Sequence, residues 1–247
     1  PPRSTLFPYT TLFRSGASVS RDGALDVTAV LLDKSLVMRA ETSLETRPMY
    51  QMLETVRAYA AAELTAAGER DDAFEGLARY CVSEASCAAR GLMGPAQGEW
   101  LDRVRDDLEN YRAALAWLIE QGRAAEATDI AWGLKYFWLI RGHAAEGLQW
   151  YEQILNLPSL SVGAEAKALL GAAGMWWTQG DLERAHTGVN RALALALEAG
   201  DVETAAQAEH ISGHVEHALG NVNVSRERFA ASIEQFRALA IPSGTGN

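Results

Sequence analysis

Between about residue 124 and residue 240, apolar positions recur every three or four residues in runs of similar length. That spacing places them on one face of a helix. The runs pair off around three glycine turns, Arg141-Gly142-His143, Gln179-Gly180-Asp181 and Leu219-Gly220-Asn221. The expected pairs are 125–140 with 143–155, 163–178 with 182–198, and 202–219 with 222–238. The glycines stand 38 and 40 residues apart. One helix pair per period is the signature of an α-solenoid, whose units bury their apolar faces on each other. Five positions after each turn lies a small residue (Gly147, Ala185, Ser225), where paired helices come closest. Seven positions before it lie Ala173 and Gly213, while the first unit has Lys135 and breaks the rule.

Upstream the periods change. Residues 24–33 (ALDVTAVLLD) have helical spacing through Leu25, Ala29 and Leu32. Residues 34–38 and 48–52 shorten to strand-like runs around a polar stretch, and 53–64 return to a helix. Residues 71–92 form a further helix, broken by Met93-Gly94-Pro95. Residues 99–121 then read as one unbroken helix, since Leu101, Val104, Leu108, Tyr111, Leu115 and Leu118 keep the spacing without a miss. The fold class expected is mostly α: a solenoid behind a small module with a short β-hairpin. The segments are 1–15, 16–66, 67–123, 124–240 and a tail at 241–247.

Composition narrows the function. Of 247 residues, 22 are Lys or Arg and 32 are Asp or Glu, a net charge of −10. Such a surface is a poor match for nucleic-acid phosphates, so no direct nucleic-acid contact is expected from this chain. No run of about 18 apolar residues occurs, so no membrane-spanning segment is expected. Cys81 and Cys87, six apart in one helix, fall on different faces, which fits a reducing cytoplasm better than a disulfide. There is no Gly-x-x-x-x-Gly-Lys-Ser/Thr loop, no Gly-x-Ser-x-Gly and no His-Glu-x-x-His. No catalytic or metal-binding constellation is read, and the expectation is a binding protein rather than an enzyme. Residues 1–15 (PPRSTLFPYTTLFRS) carry no helical or strand period and match, codon for codon, the translation of a common sequencing adapter. They are expected to be artefactual, with the natural reading frame starting at or after Gly16 as part of a longer protein.

Several runs resemble known proteins. The helix pairs resemble tetratricopeptide repeats in a lengthened form. LLDKSLV (31–37) and YQMLETVRAYAAAEL (50–64) resemble the winged-helix segment of signal-transducing ATPases of the NB-ARC-like (STAND) type, and most closely the AfsR/LuxR-type transcriptional regulators. Asn110, Arg112, Ala113, Ala114, Leu115 and Trp117 match a further run of that group. So do Phe137, Trp138, Arg141, Gly142, His143, Glu146, Gly147 and Trp150. The resemblance implies a winged helix that relays to an intramolecular nucleotide-binding domain upstream, where ATP or ADP would bind; no cofactor is expected on this chain. Met52-Leu53-Glu54 stands where the broader family has Met-His-Asp. Met52 and Glu54 are therefore candidate relay residues, while Leu53 has no donor for a phosphate. Apart from the resemblance, Met52 and Leu53 read as core at a strand-to-helix junction. Asn110 and Arg112 read as ties between this helix and its neighbours.

In tetratricopeptide arrays the first helix of each pair lines the concave face. Counting from the turn glycines, the resemblance then assigns a protein or small-molecule effector to Asp129, Trp132 and Tyr136 in the first unit. Lys167, Leu170 and Trp177 follow in the second, and Gln207, His210, His214 and His217 in the third. The three histidines share one helix face. They could hold a metal ion, although ordinary surface histidines are the favoured reading. A plain interaction scaffold, or the arm of a protein kinase or cyclase, remains an alternative to the regulator.

Overall fold

The computed structural model describes residues 21–40 and 49–240. The expectations for residues 1–15, for the turn between the two strands and for the tail at 241–247 lie outside them. The chain divides into two compact units at Gln121/Gly122.

In the first unit α1 (Arg21–Asp33) leads into β1 (Val37–Ala40) and β2 (Met49–Met52). The two strands form an antiparallel hairpin with Val37 opposite Met52 and Ala40 opposite Met49. Val37, Ala40 and Met49 are its buried positions. Helices α2 (Glu54–Ala66) and α3 (Arg70–Gly91) follow. The long helix expected over 99–121 is in fact two, α4 (Gln97–Asp106) and α5 (Leu108–Glu120), divided at Asp107. Asp107 leaves helical geometry at φ −95°, ψ 5°. Its buried carboxylate accepts hydrogen bonds from Tyr80 Oη of α3 at 3.1 Å and from Asn110 Nδ2 at 3.0 Å. The apolar spacing survives the break, so the pattern gave no sign of it. Asn110 thus ties α5 to α3 through Asp107, whereas Arg112 pairs with Glu109 on its own helix. Burial, reinforced by the Asp107 charge, pushes the Cys81 thiol and the Tyr111 phenol well up from their usual values.

The second unit is the helix-pair array. It comprises α6 (Ala124–Arg141) with α7 (Ala144–Leu155), α8 (Val162–Thr178) with α9 (Leu182–Ala199), and α10 (Val202–Ala218) with α11 (Val222–Ala240). The expected boundaries hold to within two residues. Gly142, Gly180 and Gly220 have φ of 75°, 81° and 86°. That left-handed geometry is costly for any residue with a Cβ, which is why the turns sit at glycine. Ser161, Asp181 and Asp201 accept from the backbone N–H three residues on and so start α8, α9 and α10.

Aromatic rings lying on glycines join successive helices. A Cβ at Gly147 would come within 2.9 Å of the Trp138 ring, and one at Gly171 within 2.1 Å of the Tyr151 ring. One at Gly188 would meet Trp176 at 2.9 Å, and one at Gly213 would meet Phe229 at 2.7 Å. Of the three small residues after the turns, Gly147 seats Trp138, Ala185 is fully buried, and Ser225 donates to Gly213 O at 2.8 Å. The first helices α6, α8 and α10 pack side by side. They form one layer of the array, and the candidate site lies on it.

Candidate functional site

Lys135, the residue that broke the small-residue rule, is the centre of the site. It faces inward from α6 and is 3% exposed. Its Nζ lies 3.8 Å from the centroid of Trp132 and 4.7 Å from that of Tyr136. Both rings present their negative faces to the ammonium. Nζ also donates to Gln207 Oε1 on α10 at 2.5 Å, across 72 positions of sequence. Gln207 in turn points its Nε2 at Glu203 Oε1, 3.5 Å away. A neutral amide is thus interposed between the cation and the nearest carboxylate that acts on it. Burial pushes Lys135 down to about 7, with Glu203 opposing the shift. Burial pushes Tyr136 up, and Glu203 adds to it.

The imidazoles stand beside this group. His210 and His214 are one helical turn apart on α10, with their Nε2 atoms 3.3 Å from each other. One ring donates and the other accepts, so at least one is neutral. His214 lies against Trp177 of α8 (4.9 Å between centroids) and Phe229 of α11 (5.0 Å), and His210 meets Phe229 edge-on at 5.7 Å. Burial lowers His210, as does Lys135; burial lowers His214, as do His210 and His217. Both rings therefore favour the neutral form.

The predicted positions separate under this geometry. Trp132, Tyr136, Gln207, His210, His214 and Trp177 converge on Lys135 or on the imidazole pair. Asp129 is exposed at the surface, but the neighbouring helices partly desolvate its carboxyl and raise it; Lys167 opposes that shift and Glu126 adds to it. Leu170, expected on the open face, is fully buried core. The histidine trio resolves into a pair, with His217 exposed beyond it. Among the described residues no three His, Cys, Asp or Glu side chains are placed to hold a metal ion. Lys135 was missed because a lysine at a small-residue position reads as a defect in the repeat. The only signal was the defect itself.

The hairpin module differs from its reading too. Met52 is half-buried, and Leu53, expected as core, is 49% exposed. Glu54 opens α2 and forms an ion pair with Arg57. Elsewhere a groove of about 310 Å³ runs between α8 and α9, with Arg184 stacked 4.4 Å over Trp176 at its edge. No helix among the described residues is long and apolar enough to cross a membrane.

No family model matches the chain. Three curated proteins are similar to it, two from strains of Mycobacterium tuberculosis (CDC 1551 and H37Rv) and one from Mycobacterium bovis. All three are provisionally named HTH-type transcriptional regulators. Each is 32% identical over 199 residues, which cover 76% of this chain. The chain spans 22% of the length of these relatives.

Proposed function

We propose that this chain is the sensing arm of a helix-turn-helix-type transcriptional regulator of the AfsR/LuxR, STAND-ATPase kind. The helix-pair array binds an effector, either a protein or a small molecule, on the layer formed by α6, α8 and α10. The α1–β1–β2–α2 module acts as the winged helix, with Met52 and Glu54 passing the change to a nucleotide-binding domain in the same polypeptide. ATP or ADP binds there, and DNA is contacted by another domain. The chain itself works in the cytoplasm without catalysing a reaction. The observation that carries this reading is the convergence of Lys135, Trp132, Gln207 and the His210–His214 pair on one layer of the repeats. Residues so far apart in sequence, with half-exposed aromatic and imidazole groups, make a recognition surface rather than plain core. The likeness to the mycobacterial regulators supports the output. A binding arm changes the output only if its ligand distinguishes two states of the whole.

The test is an exchange. The matched segment replaces its counterpart in the Mycobacterium tuberculosis relative, and promoter output is read in cells. The chimaera is expected to retain output, deletion of the segment to abolish it, and Trp132→Ala/Trp177→Ala to change its response while leaving the helical signal intact. Output that is indifferent to the deletion would defeat the reading.

A further inference from the structure

The outer side of α11 matches, by position in the repeat, a face that is covered one unit earlier. Counting from the turn glycines, Val189, Leu193 and Ala196 of α9 correspond to Phe229, Ile233 and Phe236 of α11. The first three are buried, and α10 packs against their helix. Ile233 is 50% exposed, Phe236 is 40% exposed and Phe229 is half-buried. On the first helices the same step leads from buried Leu170 to exposed His210. Exposed Val222 extends the ridge, because positions 222, 229, 233 and 236 fall on one side of a helix. The exposed face is bulkier than the covered one, with Phe236 where α9 has Ala196.

Charge is distributed along this ridge in a definite way. Arg226 and Arg237 are exposed on the same flank of it, eleven positions or about three turns apart. Neither makes an ion pair among the described residues, whereas Arg228 holds Glu209 of α10 at 3.0 Å. Arg226 occupies the position of His186, whose Nε2 meets Glu216 Oε1 of the following helix at 3.1 Å. The covered face thus already takes a carboxylate at this point. A second copy laid antiparallel on the ridge, Phe229 against Ile233, brings Arg226 beside Arg237 and Glu227 beside Glu234. Like charges then oppose each other, which disfavours self-pairing. Aromatic and arginine side chains are the types that concentrate binding energy at protein interfaces.

We propose that the outer ridge of α11 is a docking surface for an acidic amphipathic helix of a separate partner protein, laid along α11 as α10 lies along α9. The apolar side of that helix covers Val222, Phe229, Ile233 and Phe236, and carboxylates on one edge pair with Arg226 and Arg237. The effector reading is carried by other residues, so this surface does not rest on it.

The test uses the whole chain and a fluorescein-labelled peptide of its own residues 200–221. That is the helix the array lays on the equivalent face, and it carries Glu209 and Glu216. Anisotropy at low salt is expected to give a dissociation constant on the order of 100 µM. Ile233→Glu and Phe236→Glu should each weaken binding by about tenfold, and Arg226→Glu by roughly fivefold. These side chains are exposed, so the helical signal should not change. A Glu216→Lys peptide should bind the wild type weakly and regain affinity for Arg226→Glu, which only direct contact between the two positions explains. No binding at ~1 mM peptide, or equal binding of both peptides by wild type and Arg226→Glu, would overturn the surface. Binding that ignores Ile233→Glu would place the peptide elsewhere and overturn it too. A concentration-dependent dimer abolished by Ile233→Glu would make a second copy the occupant and refute the partner helix. The segment exchange judges the effector reading separately from all of these.

Discussion

The glycine seats of the array make the sharpest stability prediction, and Gly171→Ala tests it. The added Cβ would lie 2.1 Å from Tyr151 Cζ and 2.5 Å from both Cε atoms. Tyr151 cannot move aside cheaply. It is fully buried, stands edge-on to Trp138 at 6.0 Å between centroids, and donates its hydroxyl to Ala131 O at 2.8 Å. Overpacking of this kind costs about 1–3 kcal/mol. Shifting the ring also breaks the buried hydroxyl bond, worth about 1 kcal/mol. Together these give a loss of about 2–4 kcal/mol, or roughly 10 °C in the melting temperature of a unit this size. The assay is thermal unfolding followed by far-ultraviolet circular dichroism on four proteins: wild type, Gly171→Ala, Tyr151→Leu and the double variant. Because the clash needs the ring, alanine at 171 should cost less than about 1 kcal/mol once Tyr151 is leucine, a strong departure from additivity. A Gly171→Ala melting temperature within about 3 °C of wild type, or an equal cost in both backgrounds, would refute the reasoning.

Other outcomes follow from the same geometry. Asp107→Ala removes the acceptor shared by Tyr80 and Asn110 and is expected to destabilise the first unit by about 2–3 kcal/mol, read by urea unfolding. Lys135 sits at about 7 in the folded chain against an ordinary 10.5, so the unfolded chain binds the proton more readily between those values. Stability should therefore rise from pH 7 to pH 9 by on the order of 1 kcal/mol per unit, and Lys135→Met should flatten that slope; parallel slopes would contradict the assignment. The lowered His210 and His214 act in the same direction at lower pH, so stability should fall as pH drops through about 6.5, less so in His210→Ala/His214→Ala. Gly174→Ala is expected to be neutral or to stabilise by up to about 1 kcal/mol, whereas Gly142→Ala should lose about 1 kcal/mol. The contrast would be visible in melting temperatures alone.

The array was legible because its rules are local. Helical spacing, the turn glycines and the caps at Ser161, Asp181 and Asp201 each act within a few residues, and all point to the same boundaries. The shared layer was legible as well: counting from the glycines placed Trp132, Tyr136, Gln207, His210, His214 and Trp177 on the three first helices, which pack side by side. The failures share a cause. Asp107 breaks a helix whose spacing is unbroken, because its carboxylate is fixed by Tyr80 from another helix. Leu170 obeys the register but is enclosed by its neighbours.

The sequence by itself determined the helix pairs, their turns and the layer on which the candidate residues fall, because backbone preference and side-chain period are encoded between near neighbours. Only the tertiary structure decided which of those residues meet and which charge is buried among them. Lys135 acquires its character from Gln207, 72 positions away, and from the loss of water around it. Desolvation and long-range hydrogen bonding depend on how helices pack, and no short stretch of sequence records that.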